Sequence, residues 1–84
     1  MHKKTMEDIM FDTLKKFLVE EIHVNADKVT MDAELIGDLE INSIDIADLV
    51  MFCENEFNVV IGDDDLHNFN TVGDIVRFME SAQN

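Results

Sequence analysis

Residues 38–45, Asp-Leu-Glu-Ile-Asn-Ser-Ile-Asp, constrain this chain more than any other stretch. A polar, turn-prone segment passes there into an apolar-periodic helix, and Ser43 stands at the junction. A serine at a helix start ordinarily serves as a cap, its hydroxyl accepting a hydrogen bond from a free backbone N–H. Here acids cluster on both sides of it, and no Lys or Arg lies within about three helical turns in either direction. That pattern points to a modifiable hydroxyl on an electronegative docking surface.

The flanking segments read as helices joined by one long loop. Met6, Ile9, Met10, Leu14, Phe17, Leu18 and Ile22 recur at helical spacing and predict an amphipathic helix over 5–22, ending near His23–Asn25. Thr5 with Asp8 forms a variant capping box. Residues 24–42 carry scattered apolar residues and read as a loop pinned to the core, with Gly37 offering a turn. Asn42 caps a second helix over 43–57, with Asp45 at the box position. Its core stripe is Ile46, Leu49, Val50, Cys53 and Phe57, while Asp45, Asp48, Glu54 and Glu56 face outward. Ile44, Ala47 and Met51 form a smaller apolar line beside those acids. Ordinary surface and a recognition face both explain that line.

Val59-Val60-Ile61 is expected to be a buried connector, because no second strand exists to pair with it. Gly62 ends it, and Asp63-Asp64-Asp65 opens a short helical turn holding Leu66 and Phe69. The triplet lacks the alternating spacing and distal glutamate of an EF-hand loop, so a solvated helix start is expected rather than a calcium site. Thr71 and Asp74 cap a last helix with Val72, Ile75, Val76 and Met79 facing inward.

Composition narrows the function. A length of 84 residues predicts one small domain, 1–84, with little room for a deep catalytic cleft. The hydrophobic fraction of 46% is too high for a disordered chain despite a net charge of −13. No run approaches the roughly 20 apolar residues of a membrane span, and no signal-peptide h-region is seen, so a soluble monomer in the cytoplasm is the expectation. Between Lys28 and Arg77 there are twelve acids and no Lys or Arg, which disfavours nucleic acid and anionic lipid and favours a basic protein partner. The single cysteine, Cys53, reads as a core residue, not a reactive thiol. His2 and His23 read as exposed, without a partner at metal-ligand spacing. Ser43 lacks the glycines of a nucleophile elbow, no histidine is near it in sequence, and no Gly-rich phosphate loop or metal-ligand set occurs. The chain reads as a non-enzyme acted on by others, with no catalytic residue and no metal.

The stretch Asp38–Asp45 resembles the Asp-Leu-Gly-x-Asp-Ser-Leu-Asp signature of acyl carrier proteins. The likeness continues through Leu49-Val50-Met51, Glu54-Asn55-Glu56-Phe57 and Thr71-Val72-Gly73-Asp74-Ile75. It implies an all-α four-helix bundle with a short third helix. It also implies attachment of 4′-phosphopantetheine, donated by coenzyme A, to Ser43. Acyl groups would ride as thioesters on that arm, in fatty acid or related polyketide-like or specialised lipid biosynthesis. Partners would be a phosphopantetheinyl transferase and basic-patched acyl-processing enzymes, docking on Asp38, Ile44, Asp45, Ala47, Asp48, Met51, Glu54 and Glu56. By position, Leu35, Ile36, Leu49, Cys53, Leu66 and Phe69 would line an acyl pocket.

Four positions depart from the pattern. Glu40 replaces a glycine, so the turn is expected to differ or to rely on another backbone conformation. Asn42 replaces an aspartate and keeps the cap while losing a charge. Ile44 replaces a leucine, and Gly62 stands where the family often has proline. An aminoacyl or peptidyl carrier and an unmodified structural or regulatory bundle are the alternative readings.

Overall fold

The computed structural model describes residues 4–82. Its elements are α1 (Met6–Glu20), a single 3₁₀ turn (Ala26–Lys28), α2 (Ser43–Phe57), the one-turn α3 (Asp63–Leu66) and α4 (Val72–Ala82). Four helices in this order, the third short, match the architecture expected from the sequence.

Side-chain caps begin the long helices. The Thr5 hydroxyl accepts from the Asp8 N–H at 3.1 Å, and the Asp8 carboxylate accepts from the Thr5 N–H at 3.3 Å. Thr71 and Asp74 repeat the arrangement at α4, where the Asp74 carboxylate also accepts from the Asn70 N–H at 3.0 Å. The Asn70 and Thr71 amides hold the Asp74 carboxyl below the usual carboxylate range.

The buried seam of α1 is Met10, Leu14 and Leu18, packed chiefly against α4 and more lightly against α2. Met6 and Ile9, expected on that face, are exposed. Ile9 lies about 100° around the helix from Met10, and Met6 lies a turn beyond the seam's end. The helix also stops sooner than the spacing suggests. Glu21 is its C-cap, His23 is left-handed at φ 67°, and the Val24 N–H turns back to donate to the Leu18 carbonyl at 2.9 Å. Ile22 therefore packs against the core from the turn rather than from the helix. His23 is exposed as expected, and His2 lies outside the described residues.

The loop from Val24 to Asn42 is fastened to the start of α4. Val29, Ala33, Leu35, Leu39 and Ile41 are its buried anchors. Three backbone bonds clamp it: Leu35 N–H to Asn70 O (2.9 Å), Val72 N–H to Ala33 O (3.0 Å) and Gly73 N–H to Met31 O (2.8 Å). Glu34 and Thr71 form an isolated antiparallel bridge at the same place. A side chain at position 73 would put its Cβ 2.8 Å from the Met31 carbonyl oxygen, so glycine permits this approach.

The connector after α2 corrects one expectation. Asn58 turns left-handed at φ 54° and ends the helix, after which Val59 and Ile61 are buried but Val60 is 87% exposed. An extended segment alternates its side chains, so only every second residue can reach the core. Glu54 secures it, its carboxylate accepting from the Ile61 N–H at 3.0 Å.

At the centre lie Leu14, Leu18, Leu35, Leu49, Cys53, Val72, Ile75, Val76 and Met79. Among the described residues no polar or charged side chain is buried with them. Burial pushes the Cys53 thiol up to about 12, with the neighbouring Glu54 charge adding to the effect. Two consequences can be measured. The native thiol should react with an alkylating reagent at pH 8 on the order of 1,000-fold more slowly than in urea-unfolded protein, because the thiolate is that much scarcer. Stability should also decline as pH rises from about 9 towards 12, since the unfolded thiol ionises first. Equal reaction rates in the two states would contradict this placement.

Candidate functional site: the start of the second helix

Ser43 is the first residue of α2 and is exposed. The cap is Asn42, whose side-chain oxygen accepts from the Asp45 N–H at 2.8 Å. The Asp45 carboxylate reaches back to the Asn42 N–H at 3.4 Å. Because Asn42 performs the capping, the Ser43 hydroxyl makes no hydrogen bond to another described residue. The bland role for this serine is already filled by its neighbour.

The preceding turn explains how the hydroxyl is presented. Leu39 and Ile41, two positions apart, are both buried on the same side of the chain. Glu40 between them turns the backbone with a left-handed φ of 57°, its side chain exposed. The glycine-like conformation is thus kept at a position where the acyl-carrier signature has glycine and this chain has glutamate. Gly37 lies within the turn over residues 35–39, as expected, and has no positive φ. The Asp38 and Leu39 N–H groups both donate to the Glu34 carbonyl at 3.0 Å. The Asp38 carboxylate closes the loop by accepting from the Glu34 N–H at 2.8 Å. Ile41 then donates to the Leu35 carbonyl at 3.2 Å, delivering the chain to Asn42.

Beyond Ser43, α2 presents Ile44 (73% exposed), Ala47, Asp48, Met51 (59%) and Glu56 to solvent. Asp45 is half-buried beside its cap. Glu54 departs from the expected outward row: it is half-buried and turned onto the connector. Among the described residues, neither His23 nor His67 is hydrogen-bonded to Ser43.

The six residues expected to line an acyl pocket fall into two sets. Leu35, Ile36 and Phe69 meet at an open cleft of about 270 Å³ shared with Glu34, Gly37 and Asn70. Ile36 is 67% exposed at its edge. Leu49 and Cys53 are sealed in the core and Leu66 is half-buried, and none of the three borders that cleft. Sequence reasoning missed Phe52, which is half-buried and stacked on Phe17 with ring centroids 4.3 Å apart. It lies four residues after Asp48, off the core stripe, where no periodicity marks it.

A family of sequences described by its phosphopantetheine attachment site matches residues 12–79. The chain belongs to this carrier family. Its fold is similar to a crystal structure of an acyl carrier protein from Thermotoga maritima, with a TM-score of 0.83 at 23% identity, over 98% of this chain and 95% of that one. It is also similar to the acyl carrier protein of Enterococcus faecalis, with a TM-score of 0.77 at 27% identity, over 93% of this chain and 99% of that one. A carrier domain of this kind is not a catalyst, and 4′-phosphopantetheine is the group it holds covalently. The residues at the start of α2 fit such a group. The hydroxyl is exposed and unengaged, and a helix N-terminus carries the partial positive charge that suits a phosphodiester.

Glu40 gives the carrier's turn a direct test. A left-handed residue with a Cβ costs roughly 1–2 kcal/mol, and β-branching makes it worse. Glu40→Val should lose about 1–2 kcal/mol in urea unfolding, whereas Glu40→Gly should match or exceed the parent. A valine variant as stable as the parent would contradict the assigned conformation.

Proposed function

We propose that this chain is an acyl carrier protein, residues 1–84 forming one carrier domain, with Ser43 as the attachment point of 4′-phosphopantetheine. What carries this reading is the Ser43 hydroxyl, exposed and left unbonded because Asn42 caps the helix. In the modification, the Ser43 oxygen attacks the phosphate of coenzyme A that bears pantetheine. A P–O bond forms to Ser43, adenosine 3′,5′-bisphosphate leaves, and the hydroxyl proton passes to a base of the transferase. The bound arm supplies a terminal thiol that holds acyl groups as thioesters. The protein's own contribution is to present the attachment point and to be recognised.

The recognising surface in this reading is Asp38, Asp45, Asp48 and Glu56 with the exposed Ile44, Ala47 and Met51. Glu54 acts mainly on the connector. Exposed ion pairs contribute only ~0–1 kcal/mol each, so several give fast, salt-sensitive and short-lived docking to basic enzymes. Such docking suits a carrier that must leave each partner. Leu35, Ile36 and Phe69 are the residues an acyl chain would meet first, and entry towards Leu49, Cys53 and Leu66 would require the core to open. Burying six methylenes at about 0.8 kcal/mol each gains roughly 5 kcal/mol, enough to offset part of that opening. The pathway we favour is fatty acid or a related polyketide-like or specialised lipid synthesis, by a cytoplasmic monomer. The acidity of the chain supports this over an aminoacyl or peptidyl carrier.

The test is intact mass after incubation with a promiscuous phosphopantetheinyl transferase and coenzyme A. The parent should gain one phosphopantetheine and Ser43→Ala none. A gain in Ser43→Ala would place the attachment elsewhere, and an unchanged parent mass would favour an unmodified interaction bundle.

A further inference from the structure

A cavity in the described structure lies away from Ser43, where the C-terminal half of α1 runs along residues 48–56 of α2. It encloses about 540 Å³ and is floored by the stacked rings of Phe17 and Phe52. Glu20, Glu21 and Glu56 stand on its rim. A second depression of about 350 Å³ shares Phe17, Glu21 and Phe52 with it and reaches Asp48 and Met51. The two form one groove with an aromatic floor and carboxylate walls.

Among the described residues, Lys16 is the one cation that lines the groove, against four carboxylates. Neither ion pair among the described residues, Lys4 with Asp12 and Arg77 with Asp74, involves a groove residue. The acids also sit where they weaken the helices. Glu20 and Glu56 occupy the last turns of α1 and α2, Glu21 caps α1, and no base lies in either last turn. Negative charge at a helix C-terminus opposes the helix dipole. Stability of the isolated chain therefore gives no reason for this pattern. A cation brought from outside relieves it.

We propose that the groove between α1 and α2 is a docking site for a partner protein's basic amphipathic segment, with an apolar side chain on the Phe17–Phe52 floor and arginines against Glu20, Glu21, Asp48 and Glu56. Arginine fits because its planar fork pairs with carboxylates and lies over aromatic faces. The site extends recognition from one face of α2 onto α1, so a partner could hold the carrier while leaving Ser43 uncovered. The proposal does not depend on which group Ser43 carries.

The experiment is a backbone-amide NMR titration of the apo chain with a synthetic amphipathic peptide bearing leucines on one face flanked by arginines. Perturbations should centre on Phe17, Glu21 and Phe52. Glu20→Lys combined with Glu21→Lys should weaken binding about tenfold or more. Asp63→Lys combined with Asp64→Lys changes net charge equally but lies on α3, and should weaken it about twofold or less. Glu21→Gln, the mildest change, should weaken binding measurably with an unaltered amide spectrum elsewhere. Equal weakening by the two double variants, perturbations confined to α3 or to the start of α2, or no binding at all would overturn the proposal. Mass gain at Ser43 in the same Glu20/Glu21 variant is read separately, so failure of the groove is distinguishable from failure of the carrier reading.

Discussion

The backbone clamp between residues 31–35 and 70–73 is the constraint on which the rest of this structure depends. Nineteen residues between α1 and α2, 24–42, have only one short 3₁₀ turn of their own. A loop of that length would ordinarily leave the following helix free to wander. Three amide–carbonyl bonds and a row of buried anchors instead fix its course across the end of α4. From that fixed path the chain makes the Glu34–Leu39 turn, reverses at Glu40 and reaches Asn42 in position to cap α2. Ser43 is then the first residue past the cap, with its hydroxyl unclaimed.

Division of labour between neighbours recurs throughout. Asn42 caps so that Ser43 need not. Glu54 fastens the connector at Ile61, leaving Asp48 and Glu56 as the acids of α2 that face solvent without a structural bond. The interior holds no charge among the described residues, so nearly all of the acidity is displayed on the surface. Such a surface repels itself, at some cost in stability. Only two ion pairs among the described residues offset it, and both are exposed and weak contributors.

Much of this was legible in the sequence because capping and helical periodicity are local. Thr5 with Asp8, Asn42 with Asp45 and Thr71 with Asp74 each sit at the spacing a reciprocal cap needs, and all three form. The bounds of α2 were readable for the same reason. Long-range choices were not. Nothing local says that Met10 is buried and Ile9 is not, or that the loop pairs with Asn70–Gly73. Val60 reads like its neighbours, yet alternation turns it to solvent. Glu54 has the spacing of an outward residue, but a free N–H seven positions later draws it inward. The acyl-pocket set mixed a cleft lip at Ile36 with a sealed centre at Cys53, a distinction that packing alone makes. Glu40 shows the reverse case: the chain departs from glycine while the backbone keeps the conformation that glycine favours.

Amide hydrogen exchange at Leu35, Val72 and Gly73 tests the clamp most directly. If the loop is held as described, these three amides exchange only with global unfolding, as slowly as the buried centre of α4. Exchange at the rate of exposed loop amides would show that the loop is not fastened there, and the account of how Ser43 is presented would fall with it.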